Sequence, residues 1–60
     1  MQLTAYIASA NDGYFLVKAK EVPELLARTS SLNDIPDAVR EAAARLTGRA
    51  AGDFEVIPEY

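Results

Sequence analysis

Residues 2–20 read QLTAYIASANDGYFLVKAK, and the alternation within them sets the architecture of the chain. From Gln2 to Ser9, Leu3, Ala5 and Ile7 fall on one side of an extended backbone, and Thr4, Tyr6 and Ala8 fall on the other. Asn11-Asp12-Gly13 then interrupts the pattern. Asn and Asp tolerate left-handed backbone and Gly adopts positive φ without steric cost, so this tripeptide predicts a hairpin turn. A second strand follows from about Tyr14 to Lys20, with Phe15, Val17 and Ala19 on one face and Tyr14, Leu16 and Lys18 on the other.

Beyond the hairpin, Pro23 has no N–H to give to a ladder, so it ends the second strand or sits at an edge. Glu24 to Thr29 fits a short third strand, although Leu25-Leu26-Ala27 also fits the opening of a helical turn. A helix is clearer. Ile35, Ala38, Val39, Ala42 and Leu46 recur at spacings of three and four, with Asp37, Arg40, Glu41 and Arg45 opposite. Glu41 precedes Arg45 by four residues, the favourable order for a helical ion pair. Ser31, Asn33 and Asp34 all offer caps. A cap at Ser31 would drive Pro36 into the carbonyl four residues back, so Asn33 is the expected cap. Gly48 is a natural stop. Arg49-Ala50-Ala51-Gly52 is expected to be a short mobile connection, and Asp53 to Glu59 a last strand. In that strand Phe54 and Val56 point one way, and Glu55, Ile57 and Glu59 the other. Pro58 marks it as an edge.

The expected order is β-β-β-α-β in one α+β domain covering residues 1–60. One helix covers one face of a sheet, and Phe15, Val17, Phe54 and Val56 belong beneath it. The opposite face is expected to carry Tyr6, Tyr14, Leu16 and Ile57, an apolar cluster of the kind that marks an interface. Size argues the same way. Half of the 60 residues are hydrophobic, but eleven of those are alanine, and a domain this short buries only about 60% of its unfolded surface. With no cysteine and no histidine, neither a disulfide nor a Cys/His zinc site can supplement the core. A second copy or a partner remains, and a homodimer is expected.

Nine acidic residues against six basic ones give a net charge of −3. The bases are scattered, so direct nucleic-acid binding is not expected, and an acidic surface suits a basic partner. No run approaches a membrane span and the N-terminus lacks the features of a signal peptide, so a cytoplasmic location is expected. Chemistry is sparse. Without His or Cys there is no histidine-based triad or dyad. Ser30-Ser31 precedes a helix, where capping suffices. Asp34 and Asp37 suit the positive end of the helix dipole. Asp53 and Glu55, expected on one strand face, are a candidate metal pair with no third ligand in view. No Gly-rich loop follows a strand to cradle phosphate. No cofactor, no metal and no enzymatic activity are expected.

Asp12-Gly13-Tyr14-Phe15, then Val22-Pro23-Glu24-Leu25, Arg28-Thr29 and the helical Asp37-Ala38-Val39-Arg40-Glu41-Ala42 occur in an order that resembles the HicB antitoxin family. The closing Asp53-Phe54-Glu55-Val56 is similar to the last strand of short HicB-like proteins, so the resemblance runs from about Thr4 to Pro58. Three features depart from it: Leu26-Ala27 stands where the family has Pro-Gly, Asn33 stands where the family has an acidic residue after the helix-starting leucine, and Pro36 is unusual. The resemblance implies a partial ribonuclease-H-like module, an antiparallel three-stranded meander whose fourth strand lies parallel beside the first. It also implies self-association and a role in binding and neutralising a small basic HicA-type mRNA interferase. The DNA-binding domain that family members often carry has no counterpart in these residues, so operator binding is not expected. On this reading the open-face residues Tyr6, Tyr14, Leu16 and Ile57 meet a partner or a second copy, and Asp37, Glu41, Glu55 and Glu59 are acidic partner contacts. The alternatives are an orphan phage or mobile-element protein aimed at another host factor and, last, a residual metal-dependent nuclease using Asp53 and Glu55.

Overall fold

The computed structural model describes residues 1–60. It is an α+β fold with one helix on a four-stranded mixed sheet. The strands are β1 (Gln2–Asn11), β2 (Tyr14–Ala19), β3 (Ala27–Thr29) and β4 (Glu55–Pro58), and the helix is α1 (Ile35–Thr47). The spatial order is β3-β2-β1-β4. β1–β2 and β2–β3 are antiparallel, and β1–β4 is parallel, with Leu3 opposite Val56 and Thr4 opposite Ile57. The β1–β2 turn carries positive φ at Asp12 (53°) and Gly13 (80°), the pairing whose twist matches a two-residue hairpin.

Three expectations are corrected. β3 holds only Ala27–Thr29, because Pro23 and Glu24 form a turn and Leu25-Leu26 make no ladder. The helix entrance uses Ser31, whose Oγ accepts from the Asn33 N–H at 3.3 Å. Leu32–Asp34 wind as a 3₁₀ turn that runs straight into α1, placing Pro36 in its first turn. The tighter turn directs the Ile35 N–H to the Leu32 carbonyl and so removes the α-helical bond whose geometry Pro36 would obstruct. Before β4, the expected mobile connection is partly ordered as a second 3₁₀ turn over Ala51–Asp53, so Asp53 lies outside the strand.

β1 contains a bulge that alternation does not reveal. Ile7 faces Val17 and Ser9 faces Leu16, so Ala8 is an extra residue between them. Past the bulge the faces exchange, and Ala10 stands opposite Phe15 on the helix side. The core is Leu3, Ala5, Val17, Ala19, Val22, Leu25, Ala27, Ile35, Val39, Ala43 and Phe54, with no buried polar residue. Four of these are alanines, which lets α1 approach the sheet closely. Leu46, expected in the core stripe, is 48% exposed. Gly48, in left-handed backbone at φ 76°, ends the helix by donating to the Ala44 carbonyl at 2.9 Å.

Candidate functional site

Because α1 packs on one side of the sheet only, the opposite face has no covering layer in this chain. Side chains alternate along each strand, so the register assigns that face to Thr4, Tyr6, Ser9 and Asn11 on β1, Tyr14, Leu16 and Lys18 on β2, Arg28 on β3, and Glu55 and Ile57 on β4. The four apolar or aromatic residues expected there do lie there. Tyr6 and Leu16 are half-buried, and Tyr14 and Ile57 are exposed.

They do not form one continuous cluster. Tyr14 and Leu16 meet at the turn end of the hairpin, where they line a concavity of about 260 Å³ with Asn11, Asp12 and Arg28. The Arg28 guanidinium lies over the Tyr14 ring, 5.1 Å from its centroid. That contact couples the edge strand to the hairpin and turns a cation onto the face. Ile57 lies toward the other end, opposite Thr4. Between the two ends an ion pair crosses β1: Lys20 Nζ to Glu59 Oε1 at 2.6 Å. The Lys20 N–H donates to the Thr4 carbonyl, and the Glu59 N–H to the Ala5 carbonyl, which fixes the two charges on opposite flanks of β1. The hydrogen bond to Glu59, and then its charge, raise the Lys20 pKa above the usual 10.5. Glu21 clamps the same end of the sheet. Its two carboxylate oxygens accept from the Thr4 N–H (2.6 Å) and the Thr4 hydroxyl (2.7 Å). Those two bonds, the hydroxyl one first, hold its pKa below the usual 4.5.

The expected acidic contacts are divided between two layers. Asp37 and Glu41 are exposed on α1, whereas Glu55 and Glu59 belong to the opposite side of the sheet. Three of the four already have partners. Asp37 accepts from Arg40 at 3.1 Å, Glu55 from Gln2 at 3.4 Å, and Glu59 holds Lys20. Glu41 forms no ion pair; Arg40, rather than Arg45, makes the helical pair, with Asp37. Asp53 and Glu55 are not on one strand face, since Asp53 closes a 3₁₀ turn, and no group of three or more acidic residues is placed to hold a metal ion. No helix is long and apolar enough to cross a membrane.

Sequence reading missed two features. Arg28 joins Lys18, which the alternation of β2 already placed on this face, and makes the open face mixed in charge; the alternation of Ala27, Arg28 and Thr29 carried that signal once β3 was in register with β2. A second surface lies between the segment that precedes β3 and α1, where Glu24, Leu25, Leu26, Ala42, Arg45 and Leu46 line a groove of about 350 Å³. Comparison of the chain with protein-family models, with curated proteins and with solved structures returns no match in any of the three.

Proposed function

We propose that this chain is a protein-binding module of the HicB antitoxin type, whose open sheet face docks a small basic HicA-type mRNA interferase and neutralises it. The observation that carries the reading is the one-sided sheet. Its helix covers a single face, and the other presents Tyr14 and Leu16 around a concavity with Arg28, with Tyr6 farther along β1 opposite Lys18. Aromatic and Arg side chains at the centre of a shape-complementary patch are the usual anchors of protein interfaces. The β-β-β-α-β order with a parallel β1–β4 pair supports the same reading, being the arrangement that the partial ribonuclease-H-like module would have. On this proposal Glu55 and Glu59 border the docking face and meet basic residues of the partner, while Asp37 and Glu41, on the other layer, serve in steering rather than contact.

The test is co-expression with a small basic HicA-type interferase. Restored growth and a stoichiometric complex are expected. Tyr14→Ala should weaken that complex by about 2 kcal/mol, as loss of an aromatic anchor does, and Leu16→Asp should abolish both the complex and the rescue. A complex that survives the Tyr14→Ala/Leu16→Asp double substitution removes the open face from the proposal. A chain that binds no such basic protein leaves the orphan binding role as the better reading.

A further inference from the structure

We infer that the hairpin end of the open sheet face is a carboxylate-recognition site, in which Arg28 receives an acidic side chain of a partner protein and Tyr14 and Leu16 receive an apolar residue beside it. The inference rests on the reading of this face as a protein-docking surface, but not on which protein docks. Arg28 lies on β3 directly opposite Leu16, and its guanidinium sits 5.1 Å from the centroid of the Tyr14 ring. Neither ion pair of the chain includes it, and the side-chain hydrogen bonds that arginines donate all come from Arg40. The five N–H donors of this guanidinium are therefore without a partner in the chain. Stacking on Tyr14 restricts the long side chain, so less ordering entropy remains to be lost on binding. A planar fork held in this way matches a carboxylate through two parallel hydrogen bonds.

Shape and charge select the occupant. The concavity formed by Asn11, Asp12, Tyr14, Leu16 and Arg28 measures about 260 Å³. That is below the roughly 300–1,000 Å³ of a small-molecule site, so it suits one or two side chains rather than a cofactor. Tyr14 and Leu16 give it an apolar wall. Asp12 lines it too and repels a second carboxylate, which confines the bound one to the Arg28 side. The rest of the face is divided in charge. Lys18, on β2 opposite Tyr6, belongs to neither ion pair and adds to the positive side. Glu55 stands on β4, on the far side of β1, and Glu59 beyond it is neutralised by Lys20. A partner that sets an acidic residue on Arg28 and basic ones toward Glu55 is thereby fixed in orientation across the face. A nucleic-acid phosphate would meet the same guanidinium. Two free cations on this face, in a chain of net charge −3, are too few for the counterion release that such binding uses.

The experiment is an NMR titration of the natural chain with two blocked dipeptides of nearly equal shape, N-acetyl-Leu-Glu-amide and N-acetyl-Leu-Gln-amide. The Glu peptide is expected to shift the Arg28 Nε–H and Tyr14 ring signals. It should bind about three- to fivefold more tightly than the Gln peptide, the upper range for an exposed ion pair. Arg28→Gln should erase that preference. Arg28→Lys should retain only part of it, since an ammonium keeps the charge but loses the fork. Tyr14→Ala should also reduce it, by releasing the guanidinium. The amide spectrum of each variant verifies that it is folded. Equal affinity for the two peptides overturns the inference, as does a preference that survives Arg28→Gln or the absence of any shift at millimolar peptide. An oligouridylate that moves the same signals at lower concentration than the Glu peptide overturns it in favour of nucleic acid. The peptide results do not depend on the interferase, and their failure leaves docking through Tyr14 and Leu16 to be decided by co-expression, so the two readings fail separately.

Discussion

Thr4 and Glu21 show how much one exposed pair of residues organises. Thr4 sits on β1 opposite Ile57, and its N–H and hydroxyl both go to the Glu21 carboxylate. Glu21 follows the end of β2, so this clamp holds the point where the chain leaves the hairpin. Its folded pKa lies below the ordinary 4.5. A depressed carboxylate stabilises the fold fully above that ordinary value, and the contribution is lost as pH falls through the folded value. The thermal midpoint of the natural chain should therefore exceed that of Glu21→Gln near pH 7, and the gap should close as pH is lowered below 4.5 and through the folded value. A gap independent of pH would show that the carboxylate charge is not what the clamp uses. Lys20 has the opposite sign: its raised pKa supports the fold below 10.5 and the support is lost as pH rises through the folded value. Lys20 and Glu59 are both more than half exposed, so water screens the pair and it contributes little. Its importance is positional, since it divides the open face into two ends.

At the scale of elements, the helix and the hairpin are each set by local chemistry and then trimmed by packing. The hairpin follows from Asp12-Gly13, whose positive φ values are the ones such residues adopt most easily. The bulge at Ala8 has no such local cause. It lets Ala10 share the helix side with Phe15, and a small residue next to it costs nothing sterically. The helix buries Ile35, Val39 and Ala43 at a strict spacing of four, with Ala38 and Ala42 half-buried. Ala43, fully buried against a sheet that presents Ala5, Ala19 and Ala27, marks a close helix–sheet approach. Ala43→Leu should accordingly destabilise by about 1–3 kcal/mol through overpacking, even though leucine is as good a helix former as most residues. Urea denaturation would register this as a lower midpoint. An unchanged midpoint would mean that the helix can lift from the sheet without loss.

The whole molecule is close to the limit of what a single core supports. Sixty residues correspond to a stability of about 3–9 kcal/mol at roughly 0.05–0.15 kcal/mol per residue. Leu3 is fully buried in the middle of the sheet, and removing such a side chain costs about 2–5 kcal/mol. Leu3→Ala should therefore bring the isolated chain to the edge of unfolding, seen as loss of a cooperative thermal transition near room temperature. A bound partner or a second copy should recover it, because anything that binds only the folded state stabilises it by mass action. If the variant unfolds with a sharp transition well above room temperature, the core is stronger than its size suggests.

Features that depend on neighbours along the chain could be read from the residues alone. The alternation of Gln2–Ser9 and Tyr14–Lys20, the Asp12-Gly13 turn, the periodic helix with its Gly48 stop and the edge character marked by Pro58 were all legible, because backbone sterics and one-sided burial act within a few residues. The placement of Tyr6, Tyr14, Leu16 and Ile57 on the open face was legible for the same reason. Tertiary structure alone decided the length of β3, the bulge at Ala8, the exposure of Leu46, the 3₁₀ entry that accommodates Pro36 and the division of the acidic residues between two layers. Each of these depends on where a distant segment comes to rest. A strand has a register, and a helix residue a burial, only relative to the sheet it packs on, so a pattern that assigns Leu46 to an apolar stripe cannot state that this position stays exposed.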